Sequence, residues 1–208
     1  MIDPTQLLIF IPAALALNLT PGSDMLFCLG QGVKSGPKAG LFASLGIATG
    51  GLIHSVLAAL GLAALLASYP FAFETIRWGG VAYLIWLAIQ TFLNRHQMLQ
   101  AESVKAGSSF KAWRDGTVVN FFNPKIAIFI LAFVPQFVDP TRGSTIIQFL
   151  IFGMILNIGG TIINALVGVF AGSVGRIFTT HKFAATSFAY LSSFIFLGLA
   201  AKLAFAKR

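Results

Sequence analysis

Asn18 to Asp24 reads NLTPGSD, which sets a proline, a glycine and a carboxylate inside an apolar run extending from about Leu7 to Leu29. A second run, near 117 to 138, contains Asn120 to Ala127, NFFNPKIA, with a proline and a lysine at its centre. Proline removes a backbone donor and clashes with the preceding turn, so Pro21-Gly22 and Pro124 are expected to interrupt their helices and free carbonyls. In hydrocarbon such groups are tolerated only where protein or a wet cavity covers them. The two stretches therefore mark where the interior of the molecule should be polar.

Composition supplies the setting. Of the 208 residues 57% are hydrophobic and only 10% charged, with a mean hydropathy of +0.85, whereas in soluble domains about a quarter are charged. A spanning helix takes roughly 20 apolar residues, and six runs qualify, near 7 to 29, 41 to 67, 76 to 93, 117 to 138, 146 to 171 and 184 to 206. They do not alternate as the strands of a membrane barrel would. The amino terminus lacks a basic signal region, so the first run is read as a retained span. The single cysteine, Cys28, excludes an intrachain disulfide.

The formal charge of +8 would suggest nucleic acid in a soluble protein, but here the basic residues gather in alternate loops. Lys34, Lys38, Arg95, Lys105, Lys111, Arg114, Arg176 and Lys182 fall in the first, third and fifth, against Arg77 and Arg142 in the second and fourth. By the positive-inside rule the odd loops are cytoplasmic and both termini outside, although Lys202, Lys207 and Arg208 run counter to it.

The two halves resemble one another. A shift of 103 residues places Thr20-Pro21 on Asn123-Pro124, Gly50 on Gly153 and His54 on Asn157, and AYL at Ala82 to Leu84 recurs at Ala189 to Leu191. Three helices per half would invert the second relative to the first. The expected fold is an all-α membrane protein of six transmembrane helices, two inverted three-helix repeats over 1–94 and 115–208 joined by a cytoplasmic linker at 95–114, with proline-interrupted first and fourth helices.

Matched interruptions of this kind point to a transporter's binding site. A charge at the bilayer centre costs about 2.5 to 3.5 kcal/mol, so Asp24 and Lys125 need compensation, either from a mutual ion pair or from a zwitterionic ligand whose ammonium meets Asp24 and whose carboxylate meets Lys125. Asn123 stands beside Pro124 in the interrupted stretch. His54 and Asn157, matched and near mid-span, are candidates to line the path, whereas Thr161 and Asn164 are read as packing residues on the same arc as Gly153 and Gly168. Tyr83 and Tyr190 are gate candidates. Trp113 is read as an interfacial anchor, and Glu74 with Arg77 as an exposed pair.

These residues resemble a known family. NLTPGSD followed by GVKSGPKAGLFASLGIATG, NFFNPKIAIFILAFVPQFV at Asn120 to Val138, and GGVAYLIWLAI are similar to the signatures of the lysine exporter (LysE/RhtB) family, with Ser23 where proline is more usual. The resemblance covers nearly the whole chain; it is read as to the homoserine and threonine efflux-like branch, although nothing in the spacing separates that branch from the lysine one. It implies a multi-pass exporter of amino acids or their derivatives in the bacterial cytoplasmic (inner) membrane, driven by proton antiport. No additional intramembrane carboxylate for a basic side chain is evident, which favours small neutral or apolar substrates.

Expected partners are an amino acid, protons and membrane lipids, with a homodimer kept open; no cofactor, metal or nucleic acid is expected. A passive channel is the alternative, and a weaker one is an intramembrane enzyme built on Asp24, His54 and Cys28, for which no nucleophile motif or metal cluster stands in context.

Overall fold

A computed structural model describes residues 2–68, 70–93, 107–171 and 182–205. Among them every regular element is helical: α1 (Pro4–Leu19), α2 (Ser23–Ser35), α3 (Pro37–Ser68), α4 (Pro70–Leu93), α5 (Ser109–Phe121), α6 (Pro124–Phe133), α7 (Thr145–Val169) and α8 (Lys182–Phe205), with short 3-10 turns at Val134–Phe137 and Pro140–Arg142. Arg95, Lys105, Arg176, Lys207, Arg208 and most of the expected linker lie outside the described residues.

Prolines at positions 4, 37, 70 and 124 open helices, where the missing N–H is not needed. Pro12, by contrast, is carried inside α1 without ending it. What distinguishes Pro21 is its neighbour, because Gly22 is fully extended (φ −158°, ψ −174°) and α2 starts afresh after it. The chain bends by 50° between α1 and α2 and by 51° between α5 and α6. The loop expected between the first two runs shrinks to Gly36, whose φ of +88° suits glycine. Helix continues on both sides of it because Lys34 and Lys38 are good helix formers and are exposed, a feature that apolar periodicity does not register.

Two unbroken helices, α3 over Pro37–Gly61 and α7, are long and apolar enough to cross a bilayer, and each bent pair qualifies as one further span. Among the described residues that makes up to four spans by length and composition, where six were expected. α4 and α8 have 24 residues each, about 36 Å of helix, the length a span needs. Glu74 and Arg77 do pair, at 2.9 Å, with the arginine largely covered and its guanidinium 5.5 Å from the ring centre of Trp78.

α3 is the central element, packed on α5 and α7, while α4 packs on α8 and α6, and α8 on α1. Small residues set how closely these axes approach. The backbones of Gly40 and Gly168 meet so tightly that a methyl group on either would overlap the other, and a methyl on Gly46 would strike the carbonyl of Trp113. Ser44 Oγ donates to the Thr161 carbonyl at 2.8 Å across the α3–α7 crossing. Trp113, expected at an interface, is half-buried and donates its indole N–H to Thr49 Oγ1 at 3.2 Å. Large apolar side chains such as Leu60, Ile162, Leu166 and Phe194 face outward.

The two ends are closed differently. At the end holding Ser35, Gly36 and Gly107, small residues Ala39, Ala43 and Ala112 pack with Phe27 and Cys28. At the other end Phe10, Phe133, Phe137 and Phe152 form a buried aromatic cluster, with Phe10 4.8 Å from Phe152 and Phe133 4.8 Å from Phe137 between ring centres. Above it Arg142 joins Asp3 (3.2 Å) to Asp139 (3.1 Å), tying the start of α1 to the segment before α7.

This exposed clamp gives a pH test. The Thr5 backbone N–H holds the Asp3 carboxyl below the usual carboxylate range, and the Thr141 hydroxyl and N–H, followed by Arg142, do the same for Asp139. Because both folded values are depressed, their contribution is complete above about pH 3.9 and disappears as pH falls through the lower folded values. Thermal unfolding in detergent should therefore show a drop below about pH 4 that is smaller in Asp139→Ala than in the wild type; equal drops would mean the clamp does not report on stability.

Candidate functional site

The helix breaks can be read as an accounting of backbone groups. In an unbroken helix the Leu17 carbonyl would accept from the N–H of residue 21, but residue 21 is proline. Lys125 supplies the missing donor. Its ammonium gives hydrogen bonds to the carbonyl of Leu17 at 2.8 Å and to that of Thr20 at 2.6 Å. A cation at a helix C-terminus also complements the negative end of the macrodipole. The Ala16 carbonyl is met twice by Thr20, through its N–H at 3.1 Å and its hydroxyl at 2.7 Å.

The second break has the same vacancy. Pro124 leaves the carbonyl of Asn120 without its helical donor, and Asn120 stands 103 residues after Leu17, the spacing of the sequence repeat. His54 Nε2 lies 3.2 Å from that carbonyl, and the N–H of Asn123 donates to it at 2.9 Å. A carbonyl can only accept, so His54 carries its proton on Nε2. The imidazole stacks on Phe121, 5.6 Å between centres.

Asp24 lies in the first turn of α2, where the helix N-terminus favours a negative charge. It is buried, accepting from Asn120 Nδ2 at 2.8 Å and Asn123 Nδ2 at 2.9 Å. Asn123 in turn caps α6 by accepting the Lys125 N–H at 2.9 Å. Each break is thus stabilised by a charged residue from the other. The direct Asp24–Lys125 ion pair considered from sequence is not formed: no contact within 4.0 Å joins them. The crossed arrangement serves the break better, because a direct pair would leave the Leu17 and Thr20 carbonyls without the Lys125 donor.

Beside Asp24 is a small cavity between α1, α2, α3, α5, α6 and α7. The centres of water-sized molecules have about 30 Å³ within it, room for about two waters. Its polar wall comprises Asp24 and the amides of Asn18, Asn120, Asn157 and Asn164, with Ser55 and Thr161. Asn157 donates to the Ala48 carbonyl at 2.8 Å and Asn18 to the Leu156 carbonyl at 3.0 Å. Gly51, Gly153 and Gly160 keep the wall thin enough for these side chains; a methyl on Gly153 would collide with Ser55 Oγ, and one on Gly160 would crowd Asn18.

Of the residues singled out in the sequence, Asp24 and Asn157 line this cavity, while Lys125, His54 and Asn123 stand behind it at the breaks. Pro21, Gly22 and Pro124 form the interruptions themselves. Thr161 and Asn164, read as packing residues, are part of the lining. Tyr83 is not beside the cavity: it is buried and its hydroxyl donates to the Lys125 carbonyl at 3.1 Å, bracing the start of α6. Tyr190 lies on the outer face of α8, 5.4 Å from Phe92. Asn18, Asn120 and Ser55 were not singled out; the available signal was an amide three or four residues before each breaking proline.

An all-helical protein with outward apolar faces and a polar cavity at two broken helices has the form of an integral membrane protein with a buried polar centre. The chain belongs to the LysE type translocator family, whose pattern matches residues 15–207. It is 35% identical over 147 residues to an uncharacterized membrane protein of Vibrio cholerae, covering 71% of each chain. It is 35% identical over 143 residues to the homoserine/homoserine lactone efflux protein of Salmonella typhimurium, covering 66% of each. With the leucine efflux protein of an Enterobacter species it shares 30% identity over 199 residues, 94% of this chain and 93% of that one. No solved structure matches the chain.

Lys125→Met should destabilise the protein strongly, since a buried acceptor left without a partner costs about 1–3 kcal/mol and two carbonyls lose theirs. Lys125→Arg, which keeps donors, should cost less. Pro21→Ala restores an N–H for the Leu17 carbonyl, so combined with Lys125→Met it should recover part of the loss in a double-mutant cycle of thermal unfolding. Additive effects would show that the ammonium and the proline are not coupled.

Proposed function

We propose that the protein is a secondary active transporter that exports neutral amino acids or their derivatives from the cytoplasm in exchange for protons. Membership of a translocator family whose relatives include homoserine/homoserine lactone and leucine efflux proteins supports the amino-acid class. The observation that carries the reading is Asp24, the one ionisable side chain lining the cavity. A carboxylate there is matched to a ligand's ammonium group and, when no ligand is bound, to a proton. Asn120 links it to His54, giving its Nδ2 to Asp24 and its carbonyl to the imidazole, so the carboxylate and the imidazole address one residue.

Six spans in two inverted repeats fit this role. In that arrangement α3, packed on α7, and α4, packed on α8, are counterparts in the two halves. A cavity with room for about two waters cannot hold an amino acid without rearrangement, which favours a carrier over a standing pore. The aromatic cluster and the small-residue crossing are the two closures such a carrier would open in turn. Exposed Lys34, Lys38 and Arg114 at the small-residue end favour placing that end in the cytoplasm of a bacterial inner membrane, with the amino terminus outside.

The test is efflux of labelled leucine or homoserine from loaded proteoliposomes, with and without an inward proton gradient. Asp24→Asn should reduce gradient-driven efflux by about tenfold or more, the equivalent of ~1.4 kcal/mol of lost differential interaction, while the variant still inserts into membranes. Undiminished efflux by Asp24→Asn would remove Asp24 from the mechanism, and equal efflux with and without the gradient would remove the proton.

A further inference from the structure

The cavity has a second wall that the proposed mechanism leaves unused. Ile126, Ile130 and Leu156 line it opposite in character to the amides and Asp24. Ile126 and Ile130 are four apart on α6 and so share a face; Ile130 is 2% exposed and Leu156 4%. α6 leads away from the break at Pro124, so Ile130 lies about 9 Å further along its axis, at 1.5 Å per residue, on the way to Phe133 in the aromatic cluster. α7 supplies the same order from the other side: Phe152 in the cluster, Leu156 one turn on, then Asn157 and Gly160, with Asn18 bonded to the Leu156 carbonyl. From the aromatic end inward, the sequence of layers is therefore aromatic rings, three aliphatic side chains with the Ser55 hydroxyl beside Gly153 at their edge, then amides with the carboxylate.

We propose that Ile126, Ile130 and Leu156 form the subsite for the side chain of the transported amino acid, and that it selects a branched aliphatic side chain. This rests on the export reading above. With its ammonium on Asp24, a neutral amino acid directs its side chain into the aliphatic layer. Its carboxylate then meets the amides: Asn18, Asn120 and Asn157 each give one N–H to a protein acceptor, and a primary amide has two. Lys125 is not required for that contact, its ammonium being held by two carbonyls. A hydroxyl placed among the two isoleucines and the leucine would exchange its water for at most the Ser55 hydroxyl, which already donates to the Gly51 carbonyl, and a shorter side chain would leave the layer unfilled. One methylene in such a pocket is worth roughly 10- to 200-fold in selection.

The experiment is counterflow in proteoliposomes, reading the ratio of kcat/KM for leucine to that for homoserine in the wild type, Leu156→Asn, Ile130→Ala and the conservative Ile130→Val. The wild type should favour leucine by about tenfold or more; Leu156→Asn should bring the ratio towards or below one, Ile130→Ala should lower it, and Ile130→Val should lower it less. Should Leu156→Asn fail to fold, the two Ile130 variants decide. A wild-type ratio near one, or a ratio unmoved in every variant that still transports, overturns the subsite while leaving export intact. Transport of no amino acid by the wild type overturns the export reading and the subsite with it.

Discussion

The structure depends on a crossed exchange between two broken helices. Pro21 and Pro124 each remove the donor that a carbonyl four residues earlier needs, and the protein answers with side chains from elsewhere: Lys125 for Leu17, and His54 for Asn120. Asp24 in turn takes its hydrogen bonds from Asn120 and Asn123 at the opposite break. In a hydrocarbon surrounding an unmatched carbonyl costs several kcal/mol, and an unmatched charge costs about as much. Placing each charge where the other break has vacancies offsets both costs together.

That solution also leaves a polar cavity. Asn120, one of the two amides that hold Asp24, also lines the space beside it, so a group that stabilises the fold is one a ligand would meet. An ammonium entering beside Asp24 would compete with Asn120 and Asn123 for the carboxylate, and any shift of those amides would be felt at His54 and at the cap of α6. In the exchange proposed above, coupling between ligand, proton and helix position would need no long-range pathway, because all three would meet at the break. The closures at the two ends are chemically unlike, one of aromatic rings and an ionic clamp, the other of glycine and alanine at backbone distance.

Much of the helical framework was legible in the chain, because apolar runs of about 20 residues have few alternatives in lipid. The interruptions were legible as well, since a proline followed by glycine or preceded by asparagine in an apolar run has a direct backbone consequence. Less visible was that Pro12 would be absorbed into α1 while Pro21 would not, a difference that rests on the extended conformation of Gly22 and on a lysine more than a hundred residues away. Tyr83 and Tyr190 looked equivalent by motif, yet one braces α6 through the Lys125 carbonyl and the other lies outside against Phe92.

The chain by itself determined an apolar, helical, membrane-suited protein with two matched fractures and two charges beside them, because those features follow from hydropathy, proline chemistry and spacing along one strand of sequence. Only the tertiary structure decided who partners whom: that Lys125 turns to carbonyls and not to Asp24, that Asn120 stands between Asp24 and His54, and that Thr161 and Asn164 face a cavity. The reason is physical. A donor or acceptor advertises its need in the sequence, but the group that meets it is chosen by three-dimensional reach, and here the partners of Asp24, the Lys125 ammonium and the His54 ring come from segments about 65 residues or more distant.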